Sequence, residues 1–235
     1  MRFPILLAKR LWKALGFPNE LGQTILFELQ VFLVRLTWRW LPRNRATLKR
    51  FRQSDSHRLN FGCGDRPLEG FVNVDGLFNP VADLVIDLRR PLPLPDASVA
   101  GIYSEHMIEH LRADEALAFL RECHRVLAPG AGIRLIAPDL EGMARAYVED
   151  DGEWFERAFP YLDDSVDAIN LIFHQGGAHH FIYDARALVA LLRRAGFEQA
   201  WPSSFDRTQL DDRSLVQDVD DPLRTIKSVY AEAIR

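Results

Sequence analysis

The residue types with chemical capacity fall into two groups. The first begins at Arg58-Leu59-Asn60-Phe61-Gly62-Cys63-Gly64-Asp65, where a short apolar run enters a Gly-x-Gly turn followed by an acid. Glycine at both turn positions lets the backbone approach a ligand closely, because no Cβ stands in the way. Ten residues separate Gly64 from Asp75, the end of a second short run, Val72-Asn73-Val74-Asp75, with Gly76 behind it. Asp87 ends a third run, Ala82–Ile86. A glycine turn after one strand and a carboxylate at the tip of the next describe a nucleotide-type crevice, in which the carboxylate accepts hydrogen bonds from ribose hydroxyls. A dinucleotide fingerprint needs a third glycine three positions on, where this chain has Pro67, which counts against a pyrophosphate at a helix N-terminus. The plain alternative for each acid is that it caps a turn.

The second group is rich in histidine. His106-Met107-Ile108-Glu109-His110 carries the letters His-x-x-Glu-His, and histidines four apart on one helical turn can share a metal. Further on come Asn170, His174, Gln175 and then Gly176-Gly177-Ala178-His179-His180-Phe181-Ile182-Tyr183-Asp184. His174, His179, His180 and Tyr183 around a double glycine read as a wall facing a substrate. An imidazole titrates near neutrality and suits a general base that takes a proton from a hydroxyl. His179 is the first candidate, with His106 and Asp139 as rivals. The plain reading is that one of His179 and His180 packs in the core while the other faces solvent.

The elements that must position these groups are those of an α/β domain. From Arg58 onward, short apolar runs alternate with longer helical patterns, as in a parallel sheet. Strands are expected at 58–61, 71–75, 82–87, 99–104 and 133–137, with later strand-like pieces near 197–201 and 228–234. A helix is expected over 114–127, stopped by Pro129-Gly130-Ala131-Gly132. Another runs from a cap at Asp184 to Ala195, with Gly196 as its C-cap. Residues 140–175, with Trp154, Phe155, Phe159 and Tyr161, read as a helical insertion of one or two helices.

Residues 1–57 form a separate, apolar and basic arm. Through Arg58 the chain has twelve Lys or Arg against three acids (Glu20, Glu28, Asp55), whereas the remainder is strongly acidic. The run Phe3–Ala8 is too short for a signal-peptide core. Gly22 to Leu41 reads as one helix, with Arg35, Arg39 and Glu28 arguing against a simple membrane span. It fits a helix lying in a membrane interface, or one packing on the domain or on a second copy. Arg43, Arg45, Lys49, Arg50 and Arg52 suit anionic lipid or a solvated linker. Nucleic acid is not expected as a partner, because the acidic domain would repel it. Two cysteines, Cys63 and Cys123, indicate a reduced, cytoplasmic chain, with the inner membrane face as an alternative address.

Taken together, Leu59-Asn60-Phe61-Gly62-Cys63-Gly64, Val74-Asp75, Asp87-Leu88 and Leu92-Pro93-Leu94-Pro95-Asp96 resemble the class I S-adenosylmethionine-dependent methyltransferases. So do Ile108-Glu109-His110-Leu111, Arg125-Val126-Leu127-Ala128-Pro129-Gly130 and Arg134–Glu141. The match is to the small bacterial type 11-like branch, often associated with surface polysaccharides, and it covers about residues 58–201. It implies a Rossmann-like, doubly wound, mostly parallel sheet and S-adenosylmethionine as cofactor. By the same resemblance, Asn60, Phe61, Gly62, Cys63 and Gly64 would lie against the methionine half. Asp75 and Gly76 would hold the ribose, Asp87 and Leu88 would meet the adenine, and Ser104, Glu105 and His106 would line the sulfonium side. The histidine motif is accounted for by the same resemblance, so no metal is expected. The implied reaction is methyl transfer to a small-molecule or glycan acceptor, such as a sugar hydroxyl of a surface glycan or glycolipid. The alternatives are a non-catalytic cofactor-binding protein in a membrane-side complex and a nicotinamide oxidoreductase.

Overall fold

The computed structural model describes residues 19–51, 53, 56–217 and 226–235. The apolar run Phe3–Ala8, together with Arg52 and Asp55, lies outside the described residues.

Seven strands form one sheet: β1 (His57–Phe61), β2 (Phe71–Asp75), β3 (Leu84–Val85), β4 (Val99–Glu105), β5 (Leu127–Pro138), β6 (Gln199–Ser203) and β7 (Ser228–Ile234). Their order is β3-β2-β1-β4-β5-β7-β6. The pairings among β1 to β5 are parallel, and β7 runs antiparallel to both β5 and β6. The chain walks outward from β1 to β3, returns to lay β4 beside β1, and then walks the other way. This is the expected doubly wound, Rossmann-like arrangement, and the reversal opens a crevice at the C-terminal ends of β1 and β4.

One face of the sheet is apolar. Leu59, Phe61, Ile102, Ile133 and Leu135 pack under α3 (Ala113–Val126) and α7 (Ala185–Ala195), which contribute Phe119, Leu120, Cys123, Leu188 and Leu192. Phe61 meets Phe119 edge to face, with ring centroids 5.0 Å apart. Asp184 caps α7 by accepting from the Ala187 N–H, and Gly196 ends it at a φ of 113°, both as the sequence predicts.

The other face carries a register-aligned row across the sheet: Asn73, Asn60, Tyr103, Arg134, Glu232 and Trp201. Asn60 donates to Asn73 Oδ1 at 2.9 Å, and Arg134 pairs with Glu232 at 2.5 Å with both side chains fully buried. Leu210 and Leu215, from the irregular segment after β6, close this face. Gly132 is glycine for that reason: a Cβ there would come within 2.7 Å of Leu210.

Several boundaries differ from the sequence expectation. The third strand is confined to Leu84–Val85. Its edge is completed by side chains of α2 (Pro42–Arg50), a helix where a linker or a lipid-facing run was one reading. Asn44, fully buried, donates to Val85 O at 2.7 Å and accepts from Val85 N at 2.9 Å, so one amide replaces a neighbouring strand. Thr47 donates to Asp83 O, and Arg43 to Asn79 O and Ala82 O. The fifth strand begins at Leu127 and runs through the Pro-Gly-Ala-Gly stretch, which bulges against β4 and remains paired with the C-terminus through Gly130 N to Arg235 O. The insertion forms three helices, α4 (Leu140–Val148), α5 (Gly152–Ala158) and α6 (Ser165–His174), around Met143, Phe155 and Phe159.

The arm's main helix is α1 (Asn19–Thr37). Its inner face packs on the domain, with Val34 fully buried against Cys63, Ala82 and Val85. Its outer side exposes Leu29, Phe32, Leu33 and Leu36, and Trp40 follows. No described helix is long and apolar enough to cross a membrane.

Candidate active site

The glycine turn sits where the sheet reverses. The N–H groups of Gly62 and Cys63 both reach Val74 O, which ties the end of β1 to β2. Gly62 has a φ of 71°, and a Cβ there would lie 2.5 Å from the Met107 side chain, so two independent constraints require glycine. Gly64, at a φ of 50°, has open space where its Cβ would project. That bare backbone forms a cradle beside the switch point, open where a side chain at position 64 would project.

Asp75 forms the floor of the cradle. Its Oδ2 accepts from Gly64 N at 2.9 Å and Asn79 Nδ2 at 3.3 Å, and its Oδ1 from Leu77 N at 2.9 Å. The carboxylate is half-buried, and two oxygens offer about four lone-pair directions, so capacity remains for a ribose hydroxyl. Cys63 lies buried between this floor and α1. Burial and the neighbouring Asp75 push its thiol up to about 12. Asn60 turns its side chain under the sheet and Phe61 into the core, so at these positions the main chain faces the crevice. Gly76 is half-buried beyond the tip of β2.

Asp87, expected at the adenine end, is buried and already held. Arg35 of α1 donates Nε to Oδ2 at 2.5 Å, and Arg89 donates its Nε at 3.2 Å and its backbone N–H at 3.1 Å to Oδ1. Arg89 in turn meets Glu28 of α1 at 2.7 Å. Leu88 is buried in the core. The arm therefore packs across this end of the crevice. The role of Arg35 is not legible in the sequence beyond its charge.

At the β4 end, Ser104 donates to Phe61 O at 3.2 Å, joining β4 to the glycine turn, and Glu105 accepts from Tyr103 Oη at 3.1 Å. His106 has a positive φ of 49°. This turn directs Nε2 to Ser228 Oγ at 2.9 Å and Nδ1 toward Glu109 Oε1 at 3.4 Å. Asp139 is the N-cap of α4 and accepts from Glu141 N; burial raises its carboxyl above the usual range.

The two histidine groups converge, which spacing alone does not reveal. His179 Nε2 lies 3.9 Å from Glu109 Oε1, and the His110 and His179 rings meet edge to face at 4.9 Å. The Glu109 carbonyl accepts from His180 N at 2.8 Å, fastening the segment after the double glycine to the turn after β4. Burial lowers the His179 pKa, which favours the neutral imidazole. Burial opposes ionisation of Glu109, but the hydrogen bond and charge of His106 outweigh it and hold the carboxyl below its usual range. Tyr183 is buried, with its phenol pushed up by burial and by Glu109. His174 is exposed at the end of α6, and His180 is exposed.

A cavity of about 260 Å³ opens beside this cluster, lined by His110, Arg112, His180 and the Gly176–Ala178 turn, with Thr24, Phe27 and Glu28 of α1 opposite. Of these, the sequence reading named only His180 as a substrate contact.

Residues 73–135 match the family model described as a methyltransferase domain, of type 11. Among curated proteins, none matches the sequence. Of solved structures, a SAM-dependent methyltransferase from Archaeoglobus fulgidus is similar at 16% identity, over 87% of this chain and 99% of that one, with a TM-score of 0.47. An S-adenosylmethionine-dependent methyltransferase from Mesorhizobium loti is similar at 14% identity, over 80% and 96%, with a TM-score of 0.44. The stretch that matches the type 11 methyltransferase domain runs from β2 to β5, through the crevice where the sheet reverses.

Proposed function

We propose that the protein methylates a hydroxyl-bearing acceptor, a sugar of a lipid-linked or surface glycan, held in the cavity between α1 and the Gly176–Ala178 turn. The observation that carries this reading is the position of α1. One side of the helix supplies Thr24 and Glu28 to a cavity that also presents His110, Arg112 and His180, a lining suited to hydroxyl groups. The other side presents Phe32, Leu33 and Leu36, with Trp40 beyond, to the surroundings. A helix with an exposed apolar face and nearby arginines suits a membrane interface, and an acceptor carried on lipid would reach the cavity from that side.

In this reading Gly62, Cys63 and Gly64 give their backbone to the methionine half of the cofactor, and Asp75 with Gly76 holds the ribose. Ser104, Glu105 and His106 line the side from which the methyl leaves. S-adenosylmethionine supplies a methyl made electrophilic by its sulfonium. What the chain adds is chiefly position, holding the acceptor atom about 3 Å from the methyl and in line with the bond that breaks. Of the three bases expected, Asp139 caps a helix, and His106 and His179 turn toward Glu109. The imidazoles that meet the cavity are His110 and His180, and an acceptor hydroxyl hydrogen-bonds there.

Mass spectrometry of surface glycans from cells with and without the protein tests the acceptor. The expected result is loss of a 14-dalton methyl increment from one glycan species, roughly the mass of the CH₂ unit that methyl transfer adds. Unchanged glycans, with methyl transfer found on another class of molecule, contradict it. For the arm, full-length protein is expected to co-sediment with anionic vesicles and to lose that binding on deletion of residues 1–50. Binding that survives the deletion contradicts anchoring through the arm.

A further inference from the structure

We propose that Glu109, His110 and His179 bind a divalent transition-metal ion, of which zinc suits the donor set best, at the wall of the acceptor cavity. Binding itself stands on the cluster alone, while its use in methyl transfer rests on the acceptor reading above.

Three observations carry the site. First, Glu109 is fully buried, and its one charged neighbour on this side, His106 Nδ1, stands 3.4 Å from Oε1 without the geometry of a full hydrogen bond; the nearby Tyr183 Oη is buried and makes none either. A buried carboxylate held by a single long contact is poorly compensated, and a cation bound at its oxygens adds what that contact lacks. Second, one ligand atom from each of Glu109, His110 and His179 lies within 4.8 Å of the other two. Bonds of about 2.0–2.1 Å to a tetrahedral ion place ligand atoms roughly 3.4 Å apart, which side-chain rotations on this short cluster can reach. Third, the imidazoles are already oriented as ligands. The Nδ1 of His110 lies 3.0 Å from Ala178 O, and that of His179 bonds to Ile172 O. A carbonyl only accepts, so each Nδ1 carries the hydrogen, and in the neutral imidazole each Nε2 keeps its lone pair. Histidines that bind metals almost always donate their other ring N–H in this way. The Nε2 of His179 therefore faces the Glu109 carboxylate at 3.9 Å, acceptor against acceptor.

The ligand set differs from the one the His-x-x-Glu-His letters suggest. His106, the first letter, bonds Ser228 and flanks Glu109, and its place is taken by His179 from the segment after the double glycine. Two imidazoles and one carboxylate leave a position open, as in catalytic zinc sites. Because His110 also lines the cavity, the open position belongs on that side. An acceptor hydroxyl coordinated there would lose its proton more readily, as metal-bound water does.

Tag-free, full-length protein stripped with a chelator and titrated with Co²⁺ tests the site, followed by visible absorption, with Zn²⁺ measured by calorimetry. The expected result is one equivalent of Co²⁺ with the absorption bands of a four- or five-coordinate ion, displaced by Zn²⁺. His179→Gln and Glu109→Gln should each weaken uptake by at least about tenfold. Wild type that takes up neither ion overturns the proposal, whatever the variants do, and so does His179→Gln that binds like wild type. S-adenosylhomocysteine binding, measured in parallel, separates the two claims: cofactor binding without metal uptake sinks the metal site alone, and metal uptake without cofactor binding sustains the site while removing the methyl-transfer role.

Discussion

Arg35 Nε donates to Asp87 Oδ2 across 2.5 Å, joining the arm helix to the carboxylate expected at the adenine end of the crevice. Asp87 is nearly inaccessible, whereas the Arg35 side chain is about a third exposed (35%). Removal of the arginine leaves the carboxylate with Arg89 as its remaining charged partner. Arg35→Ala is expected to cost about 1–2 kcal/mol in urea melts, less than breaking a wholly buried pair because solvent reaches one partner. Proteolysis should cut the arm of the variant faster than that of wild type. Equal cleavage would mean that Val31 and Val34 hold the helix without help.

The Arg134–Glu232 pair on the far face of the sheet is fully buried, and Arg134 also donates to Arg207 O and Ser204 O, pinning the segment after β6. Removing one member strands a charge in the interior. Arg134→Leu is expected to lose about 3–5 kcal/mol by denaturant titration, and the double variant Arg134→Leu with Glu232→Leu to regain most of that. A double variant as unstable as the single one would show that the contacts to Ser204 and Arg207 dominate.

Cys63 lies in the glycine turn but is buried, and its thiol is pushed up to about 12 by burial and by Asp75. Cys123, fully buried, is pushed up as well. Since the thiolate is the reactive form, neither cysteine should label with a thiol reagent at pH 7.5 in folded protein, and both should label after unfolding in urea. Rapid labelling of folded protein would place Cys63 on an open surface.

Glu122 accepts from Arg125 at 2.7 Å and from Leu92 N at 2.7 Å, while Arg125 also reaches Leu92 O and Leu94 O, clasping the proline-rich loop. The arginine hydrogen bond, against a smaller opposing effect of burial, holds the Glu122 carboxyl below its usual range. A carboxyl depressed in the folded state stabilises the fold above its unfolded pKa, about 4.3, and the stabilisation is lost as pH falls through the folded value. Melting temperature should therefore decline below about pH 4.5, and more shallowly in Glu122→Gln. Parallel curves for wild type and variant would assign the acid sensitivity elsewhere.

The sequence made the alternation of strands and helices legible because each element carries its own period. It also placed Asp184 and Gly196 at the ends of α7. Less of the site could be read. Asn60 and Phe61 lead into the glycine motif in the chain, but alternate residues of a strand face opposite sides, and these two side chains go to the sheet faces. Leu127–Pro138 reads as a turn followed by a short strand because Pro and Gly interrupt it; pairing with β4 and β7 overrides that local signal. The approach of His179 to Glu109 depends on how the insertion folds back over β4, and Arg35 reaches Asp87 only through the docking of α1. Neither contact leaves a trace in spacing.

On the function proposed above, the cradle of Gly62, Gly64 and Asp75 binds S-adenosylmethionine. Thermal melting with and without S-adenosylhomocysteine, on wild type and Asp75→Ala, tests it most directly, with circular dichroism checking that the variant folds. The predicted result is a rise in the wild-type melting temperature that grows with ligand concentration, as binding to the folded state requires, and its loss in Asp75→Ala. No shift for wild type with S-adenosylhomocysteine, together with a shift for NADH, would contradict it.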